Sequence, residues 1–184
     1  MDLLRQLWLP IVVSAAAVWF WSFLSWAALS LHKRDRVAPP DEDGLMEAVR
    51  RLGLGPGSYM FPWIEHKDQR DPAKVAKWKA GPIGTLTVFG PMSMPANMLA
   101  SFGWNLLSSF LIGYVAAEAL PRGADFGKVM QVVGTVGVLA YTTAGFTTLI
   151  WFQGRPNAKV MHVVDGVVQG LATGAVFAAM WPGA

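Results

Sequence analysis

The sequence predicts an α-helical integral membrane protein, a four-transmembrane-helix bundle with a small α/β insert between the first and second spanning helices. Three observations carry that expectation. Four apolar windows are long enough to cross a bilayer, a hydrophobic fraction of 53% stands against only 15% charged residues, and a charged interval of different grammar separates the first two windows. For a chain of 184 residues that balance is too apolar for an ordinary water-soluble domain. Nine tryptophans and ten phenylalanines agree with it, because amphipathic rings collect where hydrocarbon meets water. Cysteine is absent, which excludes disulfides, thiolate metal sites and cysteine nucleophiles. The net charge of +3 is modest, and its distribution says more than its size.

The first window, Leu7 to Leu31, carries no charged residue. Roughly 20 apolar residues at about 1.5 Å each suffice to cross the hydrocarbon core. A secretory signal has a shorter apolar centre, so an uncleaved anchor is expected. Met98 to Ala117, Val129 to Phe152 and Val160 to Trp181 supply three further windows, the first two uncharged and the last holding only His162 and Asp165. Short connections with Pro121 and Gly123, then with Gln153, Gly154 and Pro156, make neighbouring helices antiparallel hairpins.

Basic loops are translocated reluctantly, so the lysine and arginine distribution sets the orientation. Lys33, Arg34, Arg36, Arg50, Arg51, Lys67, Arg70, Lys74, Lys77 and Lys79 lie between the first two spans, and Arg155 and Lys159 follow the third. Only Arg5, Arg122 and Lys128 fall on the opposite side. Both termini are therefore expected outside the cytoplasm. Trp8 and Trp181 then mark the outer interface, and Trp26 and Trp151 the inner one.

From residue 32 to residue 95 the pattern changes to two helix-then-strand units. Acidic Asp41, Glu42 and Asp43 suit a helix N-terminus, Leu45, Met46, Val49 and Leu52 share a face, and Gly53 is a stop. Ser58 to Phe61 follows as an extended stretch closed by Pro62. Asp71 then caps a second helix with Pro72 at its first position, running through Lys79 to Gly81-Pro82, before β-prone Thr85 to Phe89. About sixty residues bury little surface, so this insert is expected to lean on the membrane or on a partner. Lys74, Lys77, Trp78 and Lys79 fit contact with anionic headgroups, where each cation is worth about 1 kcal/mol. A solvated helix face explains them equally well. Glu65, Asp68 and Asp71 interrupt the positive charge, and no nucleic-acid partner is expected.

Helices in lipid meet through small residues rather than hydrophobic gain. Gly166, Gly170 and Gly174 recur every fourth residue of the last span and form such a packing stripe, for a helix of this chain or of a second copy. Asp165 beside them is costly at mid-membrane, on the order of 2.5 to 3.5 kcal/mol. It stands about 9 Å along the helix from Lys159, near the cytoplasmic interface. His162 and Gln169 share its face by spacing, and Arg155 or Lys159 is a candidate ion-pair partner. The trio reads as a proton or cation relay, or as a satisfied polar cluster that fixes helix register. His32 and His162 both approach the cytoplasmic ends of their spans, but two histidines without a spacing motif do not define a haem site. No catalytic residue, cofactor or metal is expected, since phosphate loops, zinc-binding pairs and nucleophile elbows are missing.

Asp41-Glu42-Asp43, Gly57-Ser58-Tyr59-Met60-Phe61-Pro62, the run from Gly81 to Val88, Trp151-Phe152, Gly154-Arg155-Pro156, Asp165-Gly166 and Trp181-Pro182 together resemble an uncharacterised family of bacterial inner-membrane proteins. The resemblance implies a bacterial cell inner membrane and the same layout: residues 1–31 as first helix, 32–95 as cytoplasmic insert and 96–184 completing the bundle. It brings no activity, cofactor or partner. The leading expectation is a non-enzymatic structural or interaction component whose insert contacts a protein partner or the lipid surface, with homo-oligomers open. The alternative is a small-solute or proton pathway through His162, Asp165 and Gln169.

Overall fold

A computed structural model of the chain describes residues 2–152 and 154–183. It divides into two compact units. One comprises the chain up to Val37 and again from Met94; the other is Ala38–Ser93. Gln153, which the sequence places in the last connection, lies outside the described residues.

The first unit is helical. A short α1 (Asp2–Gln6) leads into α2 (Trp8–Phe23), which continues through a π-helical turn, Leu24–Ala28. After the insert come α5 (Met94–Ala119), α6 (Phe126–Trp151) and α7 (Pro156–Ala179). Each of these four long helices has the length and apolarity needed to cross a membrane. The starts of α5, α6 and α7 precede their apolar windows because helix ends tolerate polar first turns. Asp125 caps α6 by accepting from the Lys128 amide at 3.0 Å, and Pro156 occupies the first turn of α7.

The helices close a ring in which α2 touches α5 and α7, and α6 touches the same two. The α6–α7 seam is the tightest. A Cβ on Gly137 would stand 2.9 Å from the Gly170 Cα, one on Gly174 would stand 2.9 Å from the Gly134 Cα, and one on Gly166 would stand 3.0 Å from the Thr142 amide nitrogen. The small-residue stripe of α7 is thus used within the chain. The apolar core gathers at one end of the ring, from Leu7, Ile11, Ile112, Ala116, Leu120, Val129, Val133, Phe177 and Ala178. Large apolar side chains cover the outside, among them Leu99, Trp104, Leu139 and Leu171.

The second unit holds α3 (Glu42–Arg51), β1 (Gly57–Phe61), α4 (Pro72–Ala80) and β2 (Gly84–Val88). Asp41 caps α3 through the Gly44 amide at 2.9 Å, and Asp71 caps α4 through that of Ala73 at 2.9 Å. Gly53 and Gly81 follow the two helices at a φ of 64°, a backbone region glycine adopts without a Cβ penalty. The strands pair antiparallel with Tyr59 opposite Leu86, and Ser58 meets Thr87 on the other face through a 2.8 Å hydroxyl contact. Pro62 is the one buried residue between positions 38 and 93. Leu52 and Trp63 stay 67% and 71% exposed, so the unit has no apolar core of its own.

Candidate functional site

The polar groups concentrate at the end of the ring opposite the apolar core. The chain gets them there by a local device. The π-helical turn ends α2, Ser30 takes a φ of 51°, and the chain reverses so that the His32 ring stacks flat on Trp26 at 3.9 Å. A π-turn and a positive φ at a non-glycine residue both carry a cost, and both recur at functional sites. Residues 32–37, read from the sequence as insert, consequently belong with the helices.

His32 lies between two carboxylates. Its Nε2 is 2.8 Å from Asp165 Oδ2 and its Nδ1 is 2.6 Å from Asp35 Oδ2. Asp165 also accepts from the Trp21 indole at 3.0 Å and from the Ser25 hydroxyl at 2.8 Å. Asn157, in the first turn of α7, donates to Asp35 at 2.7 Å. An ionised carboxylate can only accept, so the two His32 contacts need two protons. Either an imidazolium sits between two carboxylates, or a neutral imidazole sits between one carboxylate and one carboxylic acid. Both give the trio Asp35, His32 and Asp165 a net charge of −1, and they differ only in where a proton rests. Burial pushes the Asp35 carboxyl up, but hydrogen bonds from His32 and Asn157, with the charges of His32 and Arg36, outweigh it and hold the group below its ordinary 3.8.

His162, Asp165 and Gln169, grouped from the sequence, line one cavity, but each hydrogen-bonds to a different partner. His162 Nε2 donates to the Thr142 carbonyl at 2.9 Å, and the Gln169 amide donates to Ser22 at 3.1 Å. Neither Arg155 nor Lys159 forms an ion pair with Asp165 among the described residues; His32 takes that place. Spacing of three or four along α7 permits contact, but partners on α6 and α2 are better aligned. The residues missed are Trp21, Ser22, Ser25, His32, Asp35 and Asn157. A usable signal was present, since Ser14, Ser22 and Ser25 fall on one face of α2 and mark it as a polar seam.

A cavity of about 410 Å³ opens beside this cluster, lined in part by Trp26, His32, Arg36, Arg155, His162 and Asp165. Tyr141 also lines it, faces Ser109 and Thr173, and shares with Ser109 a buried hydroxyl that makes no hydrogen bond among the described residues. His32 with Ser25 at 3.1 Å and Asp35 at 2.6 Å has the order of a nucleophilic triad. Ser25 is wholly buried, however, and gives its proton to Asp165, so it is not presented to the cavity as a nucleophile. With both His32 nitrogens on acids and His162 Nε2 on a carbonyl, the two histidines do not present themselves as a haem pair. No group of three or more acidic or histidine side chains is placed to hold a metal ion among the described residues.

In the insert, Lys74 is hydrogen bonded to Asp68, which raises its ammonium above the ordinary value. Trp78 is half-buried and lines a groove with Met60, Ile64 and Val75. Of the four residues read as a lipid contact, Lys77 and Lys79 remain exposed and uncommitted, while Trp63 is the more exposed ring.

Comparison of the chain with protein-family models, with curated proteins and with solved structures yields no match.

Proposed function

We propose that this chain is a multi-pass protein of a bacterial inner membrane, with its basic loops cytoplasmic and both termini periplasmic, and that Asp165, His32 and Asp35 form the proton-accepting centre of a small-solute or proton pathway. The apolar exterior of four spanning-length helices supports the membrane assignment, because a soluble monomer rarely exposes contiguous apolar surface on that scale. The family resemblance noted in the sequence supports the compartment.

The observation that carries the functional reading is the buried His32 between two carboxylates, one of them inside a spanning helix. An ionisable group within a spanning helix is by default a candidate for a substrate or proton route. The unsatisfied Tyr141 and Ser109 hydroxyls extend polar character inward from the cavity, up to the apolar plug of Ile112, Val133 and Phe177. In this conformation access is one-sided, so passage requires a second arrangement of the helices or a second copy.

The test is flux into proteoliposomes that enclose a pH-sensitive dye. Asp165→Asn should abolish proton uptake while the protein stays folded, and undiminished uptake in that variant would remove the proposed centre.

A second reading, an interaction component whose insert rests on the lipid surface, is favoured by one observation: only Pro62 is buried between residues 38 and 93. Because the chain has no cysteine, Trp63→Cys gives a single labelling position. A polarity-sensitive dye there should report an apolar setting in anionic liposomes but not in detergent-free nanodiscs of neutral lipid. The same emission in both would count against it.

A further inference from the structure

We infer that the cavity takes a phosphate-bearing anion, gripped by Arg36 and Arg155. The inference names the ligand class for the cavity assigned above to solute, and so rests on that reading of it as a binding place.

Hydrogen-bonding capacity around the cavity separates cleanly by charge. Every acidic group is committed to the chain itself: Asp165 to Trp21, Ser25 and His32, and Asp35 to His32 and Asn157. Both His32 nitrogens are engaged, His162 donates through Nε2 to Thr142, and Gln169 donates one of its two amide hydrogens to Ser22. Of the charged groups in the lining, Arg36 and Arg155 remain. Both line the cavity and both are exposed. Neither makes an ion pair or a hydrogen bond to a described residue, and Arg36 acts on Asp35 only through longer-range attraction. The negative groups are therefore satisfied and the positive groups are not, which selects an anion.

The geometry of guanidinium narrows the choice. Its planar fork meets an oxyanion through two parallel N–H bonds, and two such forks suit a group with about two charges and several equivalent oxygens. Phosphate has both. The cavity, at about 410 Å³, falls within the range of small-molecule sites and exceeds a bare phosphate, so the ligand carries more than that group. Trp26 and Leu149 supply an apolar wall for the remainder. A phospholipid headgroup and a phosphorylated soluble compound share this chemistry.

The experiment uses the full-length protein purified in dodecylmaltoside. Intrinsic fluorescence, with Trp26 at the cavity, is titrated with glycerol 3-phosphate and separately with dihexanoyl phosphatidylglycerol, and glycerol serves as the uncharged control. Either phosphate compound should saturate the signal while glycerol does not. Saturation by glycerol 3-phosphate assigns a soluble ligand, and saturation by the lipid alone assigns a headgroup. Arg36→Gln with Arg155→Gln should weaken binding by at least about tenfold, whereas Arg122→Gln at the other end of the bundle should leave it unchanged. Absence of saturation by both phosphate compounds, or equal affinity in the double variant, overturns the inference. Proton uptake that depends on Asp165 is measured independently, so loss of anion binding with uptake intact would reject the ligand and keep the pathway, and the converse would reject the pathway alone.

Discussion

Two substitutions at Asp165 separate its hydrogen bonds from its charge. Leucine leaves the Trp21 indole, the Ser25 hydroxyl and His32 Nε2 without their shared acceptor. Interhelical hydrogen bonds in membrane bundles average about 0.6 kcal/mol and reach about 1.7, so losing three costs about 2 to 5 kcal/mol. Asparagine keeps most of the arrangement. Its carbonyl accepts from Trp21 and Ser25, and its amide donates to His32 Nε2 once the remaining imidazole proton sits on Nδ1 towards Asp35. Its cost should stay below about 1.5 kcal/mol, because the three contacts persist and only their charge assistance is lost. Unfolding in mixed micelles by titration with sodium dodecyl sulfate, followed by tryptophan fluorescence, gives both values under one condition. Equal destabilisation by the two residues, or a leucine variant as stable as the parent, would show that the three donors do not depend on Asp165.

Other consequences can be measured in the same preparations. Gly170→Leu should destabilise the protein by about 1 to 3 kcal/mol, because a Cβ there already collides with the Val138 backbone; unchanged melting would deny the α6–α7 contact. Asp35 is held below 3.8 in the folded state, so its contribution to stability is complete above that pH and fades as pH falls through the lower folded value. The stability gap between parent and Asp35→Asn should accordingly narrow only below pH 3.8, and a gap that is constant to pH 2 would contradict the linkage. A green fluorescent protein fused after Ala184 should stay dark while a fused periplasmic phosphatase is active, and the reverse pattern would invert the orientation.

The long helices were readable because length and apolarity are properties of a single segment. Their boundaries drifted by a few residues where polar first turns, such as Asn157 and Lys159 of α7, carry no hydropathy signal. The helices and strands of the insert were readable for the same reason, through Asp41, Gly53, Asp71 and Gly81. The centre was not. His32 and Asp165 stand 133 positions apart, and their meeting depends on the reversal at Ser30 and on which face of α2 turns towards α7. His162 and Gln169 were grouped with Asp165 from helical spacing alone, which fixes the face they share and leaves their partners undecided.

In the pathway proposed above, proton uptake and helix movement are coupled at this centre. The trio of Asp35, His32 and Asp165 already holds the two protons its contacts require, so a third must settle on a carboxylate. On Asp165 it removes the charge that assists the bonds from Trp21 and Ser25, leaving each about half as strong, and it adds an O–H beside those two donors. On Asp35 it weakens the tie to Asn157 and with it the turn after Ser30. Either way the strain falls on the seam between α2 and α7. The α6–α7 contacts at Gly137, Gly170 and Gly174 contain nothing that titrates, so that stretch of the pair can stay rigid while α2 shifts against it; nearer the cavity, Gly145 packs on the titratable ring of His162. The polar seam is therefore where a one-sided cavity can open towards the apolar end, with α6 and α7 moving as a unit.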